Sequence, residues 1–306
     1  MNKYLAFDIG GTFLKYGVIS EEMGVLETNK VKTPDSLEGL LTAMKEISHL
    51  YKDAKGVAVS SPGAVSEDGF IKGSCALRYL HGPNIKQLME EQLNVPIFME
   101  NDAHCAGYAE FWKGNAKGKK DVLVMVLGTG IGGAVFKNGV LHKGANLHGG
   151  EFGYMLLNTA VQNSNDVWSR RASTKALVKE VARQKNIDMA SLSGEQVFSM
   201  AEAGDKVCLE ALDRFYHILA VGIYNLQYIY DPEIILIGGG ISAREDLIDN
   251  INEKLDGIME AVDLAKIKPT IASCHFRQDA NLLGAVYGWL KERDGCIRRI
   301  NTKLNN

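Results

Sequence analysis

Leu5-Ala-Phe-Asp8-Ile-Gly10-Gly11-Thr12, followed at once by Phe13-Leu-Lys15-Tyr-Gly-Val-Ile19, decides how the rest of this chain is read. An apolar run of strand length ends beside an aspartate, a glycine pair turns the chain, and a second strand-like run follows. The pattern returns further along, where Val124-Met-Val-Leu127-Gly128-Thr129-Gly130 leads into Ile131-Gly-Gly-Ala-Val-Phe136. Each copy is strand, glycine turn, strand. The chain therefore reads as two copies of one topology.

Working outward, residues 24–33 complete a β-meander after the strands at 4–7 and 14–19. Asp35 or Ser36 then caps a helix whose apolar positions Leu37, Leu40, Leu41, Met44, Ile47 and Tyr51 keep helical spacing. Glu38, three residues after Asp35, has the spacing of a capping box. A strand at 56–60, a helix at 84–93, a strand at 96–99 and a helix at 103–112 follow. The polar, glycine-bearing stretch 113–120 reads as a link between domains. After it come a strand at 122–127 and a hairpin at 134–141 turned by Asn138-Gly139. The later part is more helical. A long helix at 205–230 stops at Asp231-Pro232, and a buried strand at 234–237 runs into Gly238-Gly239-Gly240. Helices at 245–259 and 280–290 finish the pattern. Strands alternating with helices make the fold α/β.

Composition sets the outer bounds. At 306 residues and 33.5 kDa the chain is long enough for two domains. Its 46% hydrophobic and 23% charged residues are ordinary for a globular protein and exclude a disordered tail, a collagen and a coiled coil. Glycine is the outlier, with 32 residues against a usual share of about 7%. Only 6 prolines accompany them, so the excess belongs to tight loops inside an ordered fold. A net charge of −3 offers no cationic field for nucleic acid or an anionic membrane. Cys75, Cys105, Cys208, Cys274 and Cys296 are scattered and form no C-x-x-C pair, so they read as reduced thiols in a cytoplasmic protein. The first residues run straight into a strand, unlike a signal peptide. The longest apolar runs, such as 122–127, fall far short of the ~20 residues that span a bilayer. A soluble protein is expected.

Three glycine clusters each follow an apolar strand: Gly10-Gly11-Thr12, Gly128-Thr129-Gly130 and Gly238-Gly239-Gly240. Glycine lets backbone approach a phosphate, and consecutive amides make an anion nest. Thr12 and Thr129 add hydroxyl donors, Lys15 follows the first loop with a positive charge, and Asp8 is placed to hold a hydrated Mg²⁺. Gly128-x-Gly130-x-x-Gly133 matches the dinucleotide fingerprint literally, but that motif needs a helix next and the sequence offers a strand. A Walker loop is absent from the sequence.

Asp8-Ile-Gly-Gly-Thr12, Glu100-Asn101-Asp102, Leu127-Gly-Thr-Gly130 and Gly238-Gly-Gly240, in this order, resemble the ROK family of sugar kinases within the actin-like ATPase superfamily. The resemblance extends from Tyr4 to about Leu290. It implies two ribonuclease-H-like α/β domains around a central cleft, residues 1–115 on the sugar side and 120–280 on the nucleotide side. A C-terminal helix at 280–293 would return to the first domain. It implies ATP and Mg²⁺ as cofactors and a homodimer as the assembly. Asp102 becomes the general base that takes the proton of the accepting hydroxyl. Asn101, Gly63, Glu151 and Tyr154 become sugar-side residues, and Asp8, Gly10, Gly11, Thr12, Lys15 and the two later glycine loops become phosphate-side residues. Read without the family, Asp102 at a helix start is equally an N-cap, Pro62-Gly63 a turn, and Glu151 a solvated or capping residue.

The chain also departs from the family's pattern. Most members carry histidine where Tyr154 stands, then a cysteine-rich segment that binds structural zinc. Here there is no cysteine between Cys105 and Cys208, so no zinc is expected. His142 and His148 lie nearby as ordinary loop residues. A second glutamate common to the family is also missing, with Ser169 near its place. These losses make the chain similar to the branch that phosphorylates the 6-hydroxyl of β-glucosides, because a lost ligand on the reducing-end side leaves room for an aglycone. Glucose, fructose and N-acetylmannosamine remain alternative acceptors. Two other classes are a sugar-sensing repressor of the same family and an actin-like ATPase without a sugar. The repressor would need a helix-turn-helix ahead of Asp8, where the sequence has seven residues. The ATPase would have no use for Asn101, Asp102 and Glu151.

Overall fold

In a computed structural model, which describes residues 2–73, 75 and 77–304, the chain divides into two compact units. One comprises 1–117, 144–148 and 278–306, and the other 118–143 and 149–277. The short stretch 144–148, read from sequence as part of the later domain, groups with the first unit.

The first unit opens with β1 (Lys3–Ile9), β2 (Phe13–Ser20) and β3 (Gly24–Lys32), then α1 (Leu37–Leu50) and β4 (Val57–Ser61). A two-stranded ribbon, β5 (Ala64–Val65) with β6 (Ile71–Lys72), precedes α2 (Ile85–Leu93), β7 (Ile97–Asn101) and α3 (Asp102–Lys113). The five-stranded sheet runs β3-β2-β1-β4-β7. β1 pairs antiparallel with β2 and parallel with β4, and β4 pairs parallel with β7. Fully buried Leu5, Phe7 and Ile9 on β1 meet Leu40 and Met44 of α1 and Ile85 and Met89 of α2 in one core. A β1 buried along nearly its whole length is the reason its sequence reads as a continuous apolar run.

The second unit repeats the plan with β8 (Val122–Leu127), β9 (Ile131–Lys137) and β10 (Val140–Leu141). Four helices follow: α4 (Trp168–Ala172), α5 (Thr174–Lys185), α6 (Gly194–Glu202) and α7 (Lys206–Tyr230). Then come β11 (Ile234–Gly238), α8 (Leu247–Ala261) and β12 (Ile271–Ser273). The sheet order is β10-β9-β8-β11-β12, the same arrangement of an antiparallel meander joined to parallel strands. The expected duplication is therefore real at the level of topology. Asp205 caps α7 at Cys208 N (3.0 Å), and Asp231 closes it in the left-handed conformation before Pro232.

The last helix, α9 (Ala280–Leu304), packs with the first unit. Two glycines one turn apart allow this. A Cβ on Gly284 would run into the carbonyl oxygen of Cys105 on α3, and one on Gly288 would run into the ring of Phe98 on β7. The helix is longer than the 280–290 expected from sequence. The side chain of Cys296 lies outside the described residues. Among the described residues, no helix is long and apolar enough to cross a membrane.

Local corrections to the sequence reading are small. Ser36 alone caps α1, accepting from Gly39 N at 3.1 Å, and the Asp35–Glu38 box does not form. Strands and helices begin or end one to three residues from the expected positions, the usual uncertainty at element ends.

Candidate functional site

Asp8 sits near the C-terminal end of β1, where parallel neighbours leave strand ends open for ligands in α/β sheets. It is only 8% exposed, so its carboxylate needs partners. Ser60 Oγ on β4 donates to Asp8 Oδ1 at 2.8 Å, and Asn281 Nδ2 on α9 donates to the same oxygen at 3.1 Å. Lys15 faces Asp8 across the β1–β2 pair. Between them the turn is closed by Gly10 N donating to Phe13 O at 3.1 Å, and Thr33 Oγ1 donates to Gly10 O at 2.6 Å. The Gly10 amide is thus used inside the turn, while Gly11 and Thr12 are exposed at its tip. One carboxylate fixed by neutral donors is a donor set suited to Mg²⁺, which retains most of its waters. Among the described residues, no group of three or more His, Cys, Asp or Glu is arranged to hold a metal by side chains alone.

The junction of β7 and α3 carries Glu100, Asn101 and Asp102. Asn101, not Asp102, caps α3: its Oδ1 accepts from Ala103 N at 2.9 Å and His104 N at 3.1 Å. Asn101 Nδ2 donates to Gly63 O at 2.9 Å, tying the junction to the turn after β4. Asp102 is the first helical residue, half-buried, with its Oδ1 accepting from Ala103 N at 2.8 Å. Its position in the first turn also places its negative charge at the favourable end of the helix. Burial pushes the Cys105 thiol well up, and the negative charges of Glu100, Asp8 and Asp102 add to the shift. The three carboxylates therefore act on one neighbourhood of the first unit.

In the second unit the two later glycine loops border a cavity of about 700 Å³, a size typical of small-molecule sites. Gly128, Thr129 and Gly240 line it at the strand ends of β8 and β11. Gly239 has φ +92°, and a Cβ there would collide with the carbonyl oxygen of Leu127, so only glycine lets these two strand ends approach. Gly238 is buried within β11. The Gly130 turn is fixed by Ser169, whose Oγ accepts from Ile131 N at 2.9 Å. Val178, Met189, Leu192 and Phe198 give the cavity apolar walls, and Lys175, Glu195, Glu202 and Arg244 are among its polar lining. Arg244 lies over the Phe198 ring at 4.2 Å and is braced by Asp246 (2.8 Å) and Glu202 (3.0 Å). That brace holds the Asp246 carboxyl below the usual range. Apolar walls with a flat guanidinium suit a planar base, and glycine turns beside them suit its phosphates.

Glu151 precedes and Tyr154 ends a short 3-10 turn, Phe152–Tyr154, in the same unit. Phe152 is buried against Gly133 of β9, and a Cβ on Gly153 would meet the carbonyl oxygen of Ile131. This close packing fixes the turn while Glu151 remains half-buried and Tyr154 is 62% exposed.

The predicted residues thus gather in two groups. Asp8, Gly10, Gly11, Thr12, Lys15, Gly63, Asn101 and Asp102 belong to the first unit. Gly128, Thr129, Gly130, Glu151, Tyr154, Gly238, Gly239 and Gly240 belong to the second. Sequence reasoning missed Ser60, Asn281, Phe198 and Arg244. Ser60 had a usable signal, a polar residue at the end of an apolar strand. Asn281 has none, because Asp8 lies far away along the chain, and the packing of Arg244 on Phe198 likewise joins distant segments.

The ROK family model matches residues 4–292. A β-glucoside kinase of Listeria monocytogenes is 34% identical over 298 residues, covering 95% of this chain and 99% of that protein. A β-glucoside kinase of Klebsiella pneumoniae is 34% identical over 291 residues, covering 93% and 95%. The crystal structure of a ROK family protein from Streptococcus pneumoniae in complex with sucrose superposes with a TM-score of 0.89 at 34% identity, covering 96% of this chain and 99% of that one. With a family match over nearly its whole length and relatives at this identity, the chain belongs to the ROK family.

Proposed function

We propose that this chain is an ATP-dependent sugar kinase that phosphorylates the 6-hydroxyl of a glucose unit, with β-glucosides as preferred acceptors and Asp102 as general base. The kinase class rests on family membership and on relatives that are β-glucoside kinases and glucokinases. The assignment of the base rests on one observation. Asn101 makes the N-cap of α3, so the capping role that would otherwise explain an aspartate at this position is already filled, while Asp102 Oδ1 accepts from Ala103 N at 2.8 Å.

In this reading Asp102 accepts the hydroxyl proton as the oxygen attacks the γ-phosphorus and the bond from that phosphorus to the bridging oxygen breaks, releasing ADP; general-base help of this kind is worth about 10²–10⁴ in rate. Asn101 and the Gly63 backbone position a neighbouring hydroxyl, and Glu151 accepts hydrogen bonds from ring hydroxyls. Gly11, Thr12, Gly128, Thr129 and Gly240 offer backbone and hydroxyl donors to phosphates, and Lys15 offers positive charge. Mg²⁺, when bound, neutralises charge on the phosphates, and Asp8 holds it through water with Ser60 and Asn281 fixing the carboxylate. The apolar cavity of the second unit takes the adenine base.

The preference for β-glucosides rests on the sequence departure together with the relatives. Ser169, near the place of the family's second glutamate, is engaged in fixing the Gly130 turn and offers no carboxylate to a reducing-end hydroxyl. The test is ADP release with Mg-ATP and cellobiose, an aryl β-glucoside, glucose, fructose or N-acetylmannosamine, with the product's phosphate located by NMR. Higher kcat/KM for the β-glucosides and a 6-phosphate are expected. A higher kcat/KM for N-acetylmannosamine would remove the β-glucoside assignment, and no sugar-stimulated turnover would remove the kinase.

A further inference from the structure

We propose that His104 is a positioning residue for the phosphoryl transfer, acting through Glu100 to hold the backbone that presents Asp102. The proposal rests on the reading of Asp102 as base and goes beyond it to a pair of residues with no assigned part in the reaction.

Glu100 is the penultimate residue of β7 and His104 lies in the first turn of α3, so the pair spans the junction. Both are nearly inaccessible, at 2% and 5% exposure. Glu100 Oε1 accepts from Asn101 N at 2.9 Å and stands 3.0 Å from His104 Nδ1. An ionised carboxylate only accepts, so opposite the Glu100 carboxylate the hydrogen of the second bond is supplied by His104 Nδ1. The imidazole is thus a donor toward Glu100, in the neutral Nδ1–H form or as imidazolium.

These bonds interlock with those of the cap. Asn101 Oδ1 accepts from the amides of Ala103 and His104, and its Nδ2 donates to Gly63 O. Asp102 is therefore held on both sides: the amide before it is tied to Glu100, and the two amides after it are tied to Asn101. His104 closes the loop by bonding the carboxylate that holds the Asn101 amide. A buried carboxylate that lost this donor would seek another, and the cheapest response is rotation away from the Asn101 amide. That rotation would release the turn carrying Asp102. An error of about 1 Å in placing a catalytic group costs on the order of 10²-fold in rate.

Two variants separate positioning from mere packing. His104→Leu fills much of the space and removes the donor. His104→Asn also loses packing but keeps an N–H donor near the place of Nδ1. The melting temperature should fall in both. The proposal expects His104→Leu to lower kcat by about tenfold or more, with KM for Mg-ATP changed less than about threefold, and His104→Asn to recover most of the kcat. In an Asp102→Asn background, His104→Leu should add little further loss, because the group it positions is already gone. Equal kcat for the two single variants, whether both reduced or both unchanged, would overturn the proposal. So would an undiminished effect of His104→Leu in the Asp102→Asn background. The reading of Asp102 as base is judged separately, by Asp102→Asn alone.

Discussion

Asn101 and Asp102 are adjacent and similar in shape, and differ by an amide nitrogen in place of a carboxylate oxygen. Sequence alone left Asp102 as either a cap or a base. The structure gives the cap to Asn101, whose oxygen takes two helix amides while its nitrogen reaches Gly63 O. Asn101→Ala should therefore lose a cap and a cross-link together, lowering stability by about 1–2 kcal/mol in a denaturation measurement. Asn281 tells the opposite story about legibility. Nothing in its local sequence marks it, yet it reaches Asp8 Oδ1 from the other end of the chain. Asn281→Leu should raise the Mg²⁺ concentration needed for half-maximal turnover while leaving KM for the sugar nearly unchanged. A magnesium titration at saturating sugar checks this. Asp8, Asn101 and Gly239 were legible because each sits in a strand-end, helix-start or glycine-turn pattern that the local sequence displays, whereas Asn281 works through a long-range contact that one sequence does not display.

At the scale of elements, the strands and their glycine turns were read well because burial makes them apolar and the turn residues are specific. The stretch between Tyr154 and Asp205 was not read, and it folds into α4, α5 and α6. Its helices bury three or four residues each in α5 and α6. They also wall the cavity of the second unit, which is why that side of it escaped notice. Arg244, lying just before α8 and stacked on Phe198 of α6, joins these elements. Arg244→Ala should raise KM for ATP several-fold, a change on the order of 1 kcal/mol, with kcat nearly preserved, as initial-rate kinetics at varied ATP would show. The fit of α9 depends on glycine in a similar way. Gly284→Ala would force its methyl into the Cys105 carbonyl oxygen, and an overpacked contact of this kind costs about 1–3 kcal/mol. A lowered melting temperature is expected, and because α9 also carries Asn281, reduced turnover with it.

For the molecule as a whole, the quoted opening stretch carried most of the fold. Two sheets of matching strand order follow from two copies of strand, glycine turn and strand. The excess of glycine is accounted for in part by turns at strand ends and in part by helices and strands that approach without side chains between them. The acceptor sugar is the least legible feature, since its proposed identity rests on family ligands expected but missing, with Ser169 near the place of one of them. The central claim is that this ROK family chain phosphorylates a sugar hydroxyl with Asp102 as base. Sugar-stimulated ADP release by the wild-type chain and by Asp102→Asn, at equal folded concentration with cellobiose and Mg-ATP, tests it most directly. The account predicts robust turnover for the wild type and a kcat lower by about 10²–10⁴ for the variant, with KM for Mg-ATP little changed. Turnover by Asp102→Asn equal to that of the wild type would contradict it.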